Sequence, residues 1–116
     1  MNIDLRQGDS AEILKQFPKE SVDLVVTSPP YDNLRTYGNP YDFMQSGTFC
    51  LIADELTRVL KVGGVIIWVV GDATINGSET CTSFRQALYF TDECRLNLHD
   101  TMILSLILLW GQVQQA

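Results

Sequence analysis

Apolar residues fall in blocks along this chain, and the length and spacing of each block separate strands from helices. Residues 22–27, Val-Asp-Leu-Val-Val-Thr, form a short β-branched run bounded by Pro18 and by Pro29-Pro30. That pattern predicts a strand buried on both faces of a parallel sheet. Residues 65–70, Val-Ile-Ile-Trp-Val-Val, form a second such run, closed by Gly71-Asp72. Between them Leu51, Ile52, Leu56, Val59 and Leu60 recur at a helical period, which predicts a helix over 49–60. Gly63-Gly64 is expected to end it, with Arg58 and Lys61 suitably placed in its last turns. Strand, helix and strand in this order make a right-handed crossover, so the sheet is expected to be parallel.

The flanking segments are weaker in pattern. Residues 2–6 predict a short strand and Gly8-Asp9-Ser10 its turn, with Asp9 or Ser10 capping a helix over 11–16 whose apolar stripe is Ile13, Leu14 and Phe17. Residues 32–47 are polar and rich in turn formers, which predicts a surface loop beside the first strand's end. Its one cation, Arg35, reads as a phosphate contact or as a solvated side chain, and Tyr37 and Tyr41 read as loop packing. After the polar stretch 73–82, Ser83 is expected to cap a helix over 84–92 that turns Phe84, Ala87 and Leu88 inward.

Chemistry concentrates where the first strand ends, at Ser28-Pro29-Pro30-Tyr31. Parallel sheets bind ligands beyond the carboxyl ends of their strands. Two prolines with fixed φ and no N–H cannot continue a ladder, so they leave a carbonyl held in place between a hydroxyl and an aromatic ring. The plainer alternative is a strand terminator followed by a core tyrosine.

At these residues the chain resembles the amino-methylating DNA methyltransferases, whose catalytic motif is Ser, Asp or Asn, then Pro-Pro, then Tyr, Phe or Trp after a hydrophobic strand. The resemblance continues through Gln7-Gly8-Asp9-Ser10 with Glu12-Ile13-Leu14, through residues 21–31, and through Leu56-Thr-Arg-Val-Leu-Lys-Val-Gly-Gly64, in the family's running order over roughly the first hundred residues. It implies an α/β, Rossmann-like class I methyltransferase fold with a mostly parallel sheet, incomplete in this chain. Residues 1–103 correspond to the catalytic half of such a domain, and 97–103 resemble a further strand of it. The implied activity is restriction-modification type DNA methylation, with S-adenosylmethionine as cofactor and double-stranded DNA as partner.

The resemblance assigns Ser28, Pro29, Pro30 and Tyr31 to catalysis and Gly8, Asp9 and Asp72 to cofactor binding. An exocyclic base amine is a poor nucleophile because its lone pair is delocalised into the ring. Two acceptors aimed at its N–H groups, the Ser28 hydroxyl and the Pro29 carbonyl, favour a pyramidal nitrogen. Tyr31 offers a face on which an extruded base stacks. Direct transfer needs no covalent intermediate, so no Cys–His or Ser–His–Asp pattern is required. Ser before Pro-Pro leans toward cytosine N4, and adenine N6 is the alternative. As bare patterns, Asp9 also reads as a helix cap and Asp72 as a turn former.

Composition adjusts this picture. The 116 residues carry fourteen acidic against eight basic side chains, a net charge of −6. DNA-binding domains show the opposite balance, so either a basic recognition surface lies elsewhere or this segment does not bind DNA by itself. Cys50, Cys81 and Cys94 with a single histidine, His99, fit neither a disulfide framework nor a zinc site, so no metal is expected. No signal peptide is visible, which with reduced cysteines suggests a cytoplasmic protein. His99 itself reads as structural.

The tail 104–116, Leu-Ser-Leu-Ile-Leu-Leu-Trp-Gly-Gln-Val-Gln-Gln-Ala, departs from the family pattern and is too short an apolar stretch to span a bilayer. Every charge is lost after Asp100, which suggests a truncation or frameshift near 104. Gly63-Gly64 is no dinucleotide fingerprint, and the Asp-Pro-Phe-x-Gly-x-Gly cofactor loop of the family is not present in the chain. An expectation of a different class follows, a non-catalytic acidic α/β remnant or partner-binding module.

Overall fold

The computed structural model describes residues 1–30 and 47–103. Helix α1 is Ser10–Leu14 and strand β1 is Val22–Thr27; helix α2, Thr48–Val59, is followed directly by strand β2, Leu60–Trp68. A small hairpin, β3 Thr74–Ile75 and β4 Ser78–Glu79, precedes helix α3, Thr82–Asp92.

β1 and β2 pair in parallel, with Leu24 opposite Val65, Val26 opposite Ile67 and Thr27 opposite Trp68. The register jumps between Val22 and Leu24, whose partners are Leu60 and Val65. Gly63-Gly64 builds this bulge and does not end the helix. A Cβ on Gly64 would lie 2.8 Å from Leu60 Cδ1 and 2.9 Å from the Lys61 carbonyl, so the chain closes on itself only with glycine there. α2 stops earlier because Leu60 turns extended while its N–H still donates to the Leu56 carbonyl.

Among the described residues the helices pack in series. α1 packs on α2, and α2 on α3. The core sits between α2, α3 and the inward face of β2, centred on Phe49, which is fully buried. Its ring meets Trp68, Tyr89 and Phe90 edge-on at centroid separations of 5.4–5.7 Å. Each such pair adds about 0.5–1.5 kcal/mol beyond the area it buries. Arg58 ties α1 to α2 by donating to the Leu14 carbonyl at 2.9 Å while its guanidinium also pairs with Glu55.

Several expectations are corrected. β1 is covered on one face only: Leu24 and Val26 stand open while Val25 and Thr27 turn toward the helices. Residues 2–6 and 97–103 form no strand, since a ladder needs a neighbour and neither segment has one among the described residues. α3 is rotated from the expected face. Thr82, Gln86, Tyr89 and Phe90 turn inward, whereas Phe84 and Leu88 are exposed. Its first residue is Thr82, and Ser83 is not its cap but the group held by Asp72. The expected loop 32–47, bar Gly47 at its end, and the tail 104–116 lie outside the described residues.

Candidate active site at the end of the first strand

Thr27 is the last residue of β1, and its carbonyl still accepts the Val69 N–H at 2.9 Å. The chain then leaves the sheet at Ser28-Pro29-Pro30, with Pro29 buried and its two neighbours exposed. These three residues form one wall of a cavity of about 410 Å³. Ile52 and Leu56 of α2 and Trp68 of β2 make its apolar floor, and Gly8, Ser10 and Ile13 close it from the α1 side.

Gly8 packs its backbone against Ile13 in that wall. Its φ is +150°, and a Cβ placed on it would approach Ile13 Cδ1 to 2.9 Å. A side chain here therefore meets both backbone strain and a clash. Arg6 stands at the rim, a residue whose place in the cavity wall the periodicity did not reveal. Its guanidinium pairs with Asp4 at 2.8 Å and lies over the Phe17 ring, 4.6 Å from the centroid. The hydrogen bond from Arg6 holds the Asp4 carboxyl below the usual carboxylate range. The alternation Asp4-x-Arg6 was the available signal, and it carried no hint of a cavity.

The structure brings Gly8, Ser28, Pro29 and Pro30 together around one space. Asp9 and Asp72 lie outside the cavity lining. Asp9 caps α1, its Oδ1 accepting the Ala11 N–H at 2.9 Å. Asp72 accepts the Ser83 N–H at 2.7 Å and the Ser83 hydroxyl at 2.6 Å, which fixes the amino end of α3 beside the end of β2. Tyr31 lies outside the described residues.

A second layer supports the floor. The Trp68 indole N–H donates to Gln86 Oε1 at 2.9 Å, with Gln86 only 1% exposed. Sequence reasoning passed over Gln86 because a polar residue inside a helix reads as surface. Further along, the Tyr89 hydroxyl donates to Asp54 at 2.8 Å and the Cys94 thiol to the same oxygen at 3.7 Å. The Asp54 carboxylate pushes the Tyr89 phenol well above the usual tyrosine range, and burial pushes the Cys94 thiol up. Among the described residues no cluster of three or more His, Cys, Asp or Glu could hold a metal ion, and no helix is long and apolar enough to cross a membrane.

This geometry can be set against known proteins. No protein-family model matches the chain. The orphan methyltransferase M.BamHII of Bacillus amyloliquefaciens is 61% identical over 83 residues, which are 72% of this chain and 29% of that protein. The solved PvuII DNA methyltransferase, cytosine-N4-specific, superposes with a TM-score of 0.60 at 31% identity, over 75% of this chain and 32% of its own. The chain belongs to the DNA methyltransferase family. A second solved relative, a putative DNA modification methylase from Thermus thermophilus complexed with S-adenosyl-L-methionine, superposes with a TM-score of 0.53 at 25% identity, over 84% of this chain and 48% of its own. The chain thus spans less than a third of the length of M.BamHII and of the PvuII methyltransferase, and the family relationship rests on that shared portion.

Proposed function

We propose that this chain is the catalytic portion of a Rossmann-like, S-adenosylmethionine-dependent DNA methyltransferase that modifies an exocyclic base amine, cytosine N4 in first place. The observation that carries this reading is the Ser28-Pro29-Pro30 lip lining a cavity at the carboxyl end of a parallel strand. The cavity's volume falls within the range of small-molecule sites, about 300–1,000 Å³. On its opposite side Gly8 lines the cavity with bare backbone beside Ile13. The relative from Thermus thermophilus, complexed with S-adenosyl-L-methionine, supports the choice of cofactor, and the cytosine-N4-specific PvuII enzyme, together with Ser28 before Pro-Pro, supports the choice of base.

In this reading Gly8 and Asp9 hold the cofactor side of the site, with Asp9 serving also as the α1 cap. When bound, S-adenosylmethionine supplies an electrophilic methyl group on a sulfonium. The chain's own task is to orient the target amine: the Ser28 hydroxyl and the Pro29 carbonyl accept its N–H groups, which releases the nitrogen lone pair from the ring. Trp68, Ile52 and Leu56 exclude water from the floor. Tyr31 provides the stacking face for the extruded base. Asp72 contributes at a remove, by fixing α3 behind Trp68.

The test is a chimera in which this chain replaces the matching portion of M.BamHII, followed by mass spectrometry of nucleosides from the methylated DNA. N4-methylcytosine is expected, and Ser28→Ala is expected to lower turnover by about 10²-fold, the scale of losing one positioned hydrogen-bonding group at a reacting centre. N6-methyladenine in its place would overturn the choice of base. A chimera that folds, binds the cofactor and methylates no base would favour the non-catalytic module.

A further inference from the structure

Among the described residues that line the cavity beside Ser28, Arg6 is the one charged residue, and none is acidic. Its guanidinium is held from several sides. Nε and Nη2 donate to the Asp4 carboxylate at 2.8–3.2 Å, Nη1 donates to Gln16 Oε1 at 3.1 Å, and the Phe17 ring centroid lies 4.6 Å away. A guanidinium carries five N–H donors. Among the described residues these contacts engage Nε and one N–H on each Nη, which leaves one donor on Nη1 and one on Nη2. The side chain is 37% exposed, so a ligand in the cavity can reach it. A guanidinium that is already ordered gives up less rotamer freedom when it binds.

We propose that Arg6 is an oxyanion-binding residue of this cavity and holds the carboxylate at the amino-acid end of the methyl donor. The inference rests on the proposed function, which places S-adenosylmethionine in the cavity, and adds a residue to the cofactor side of that site. A largely apolar pocket with one positioned charge selects a ligand with an apolar body and a group of opposite charge. Carboxylate and phosphate both suit the planar guanidinium. Position favours the carboxylate. Arg6 stands two residues before Gly8, on the side of the cavity across from the Ser28 lip that receives the base. A net charge of −6 on the chain also opposes a DNA backbone more than it opposes a single carboxylate on a ligand that carries cations of its own.

The test titrates the 116-residue chain with S-adenosylmethionine and with its decarboxylated form, which differs only in lacking that carboxylate, and follows heat at low ionic strength. The wild-type chain is expected to bind the complete donor about ten-fold or more tightly than the decarboxylated one, the scale of a hydrogen bond to a charged group. Arg6→Gln, with circular dichroism unchanged, is expected to bring the two affinities together and to leave duplex DNA binding as it was. The wild-type comparison needs no substitution, so it decides even where the variant misfolds. Equal wild-type affinity for the two donors, binding of neither, or an equal loss of both in Arg6→Gln would each overturn the proposal. So would a weaker and less salt-dependent grip on duplex DNA in Arg6→Gln with the donor ratio kept, which would assign the residue to a phosphate. Binding is read here without methyl transfer. Equal donor affinities beside an active chimera would therefore sink this inference alone, and a kept donor ratio beside an inactive chimera would count against the proposed function alone.

Discussion

Gln86 shows how one side chain can settle the placement of a whole helix. It is almost fully buried and its amide oxygen receives the Trp68 indole N–H, so truncation would leave a buried donor without its partner. Gln86→Ala is expected to cost about 1–3 kcal/mol, read as a lower urea midpoint with an unchanged slope. Tyr89 makes a different prediction, because its shift acts at high pH. An unfolded tyrosine ionises near pH 10, whereas the Tyr89 phenol, donating to Asp54, ionises later in the folded chain. The folded state therefore holds this proton more tightly, so its contribution to stability is complete below about pH 10 and is lost as the pH rises through the folded value. Alkaline unfolding followed by tyrosinate absorbance should show this loss, and Tyr89→Phe should remove it.

At the scale of elements, the sequence was most legible where one pattern dictated one environment. The crossover β1, α2, β2 follows from two β-branched runs and a helical period between them, and the ends of α2 lie within a residue of expectation. The lip was legible too, because Pro-Pro after a strand can do little except stop it. For α3 apolarity alone points Phe84, Ala87 and Leu88 inward, and that is not the face the helix buries. The clamp of Asp72 on Ser83 and the bond from Trp68 to Gln86 turn the helix so that Phe84 and Leu88 face outward. Nor was the β3–β4 hairpin foreseen, although Asn76-Gly77 is a strong two-residue turn signal. Consequently Phe84→Ser is expected to change stability by less than about 0.5 kcal/mol, as surface substitutions do, while Phe49→Ala costs about 3–5 kcal/mol. Thermal unfolding of the two variants side by side checks the helix orientation directly.

Over the whole molecule, the described residues form helices packed on a two-stranded parallel sheet. Fully buried large side chains are few, Phe49, Gln86 and Val59 among the described residues, and the apolar sheet face and the outer side of α3 both meet solvent. What positions the candidate site is therefore a small aromatic cluster together with two polar clamps, Asp72 on α3 and Arg58 on α1. The expected strands at 2–6 and 97–103 were unreadable as absences, because periodicity reports what a segment prefers and says nothing of whether a neighbour is present to pair with it.

A ladder of two parallel strands also leaves a signature in time. Successive residues of each strand direct their N–H groups alternately toward the partner and away from it, and among the described residues nothing pairs with the outer margins of β1 or β2. Deuterium uptake along 22–27 and 65–68 should therefore run like a comb, slow at every second amide and near the free-peptide rate between. Engagement of either margin by an added strand would fill in the missing teeth, so amide exchange can distinguish a partner that extends the sheet from one that only covers its face.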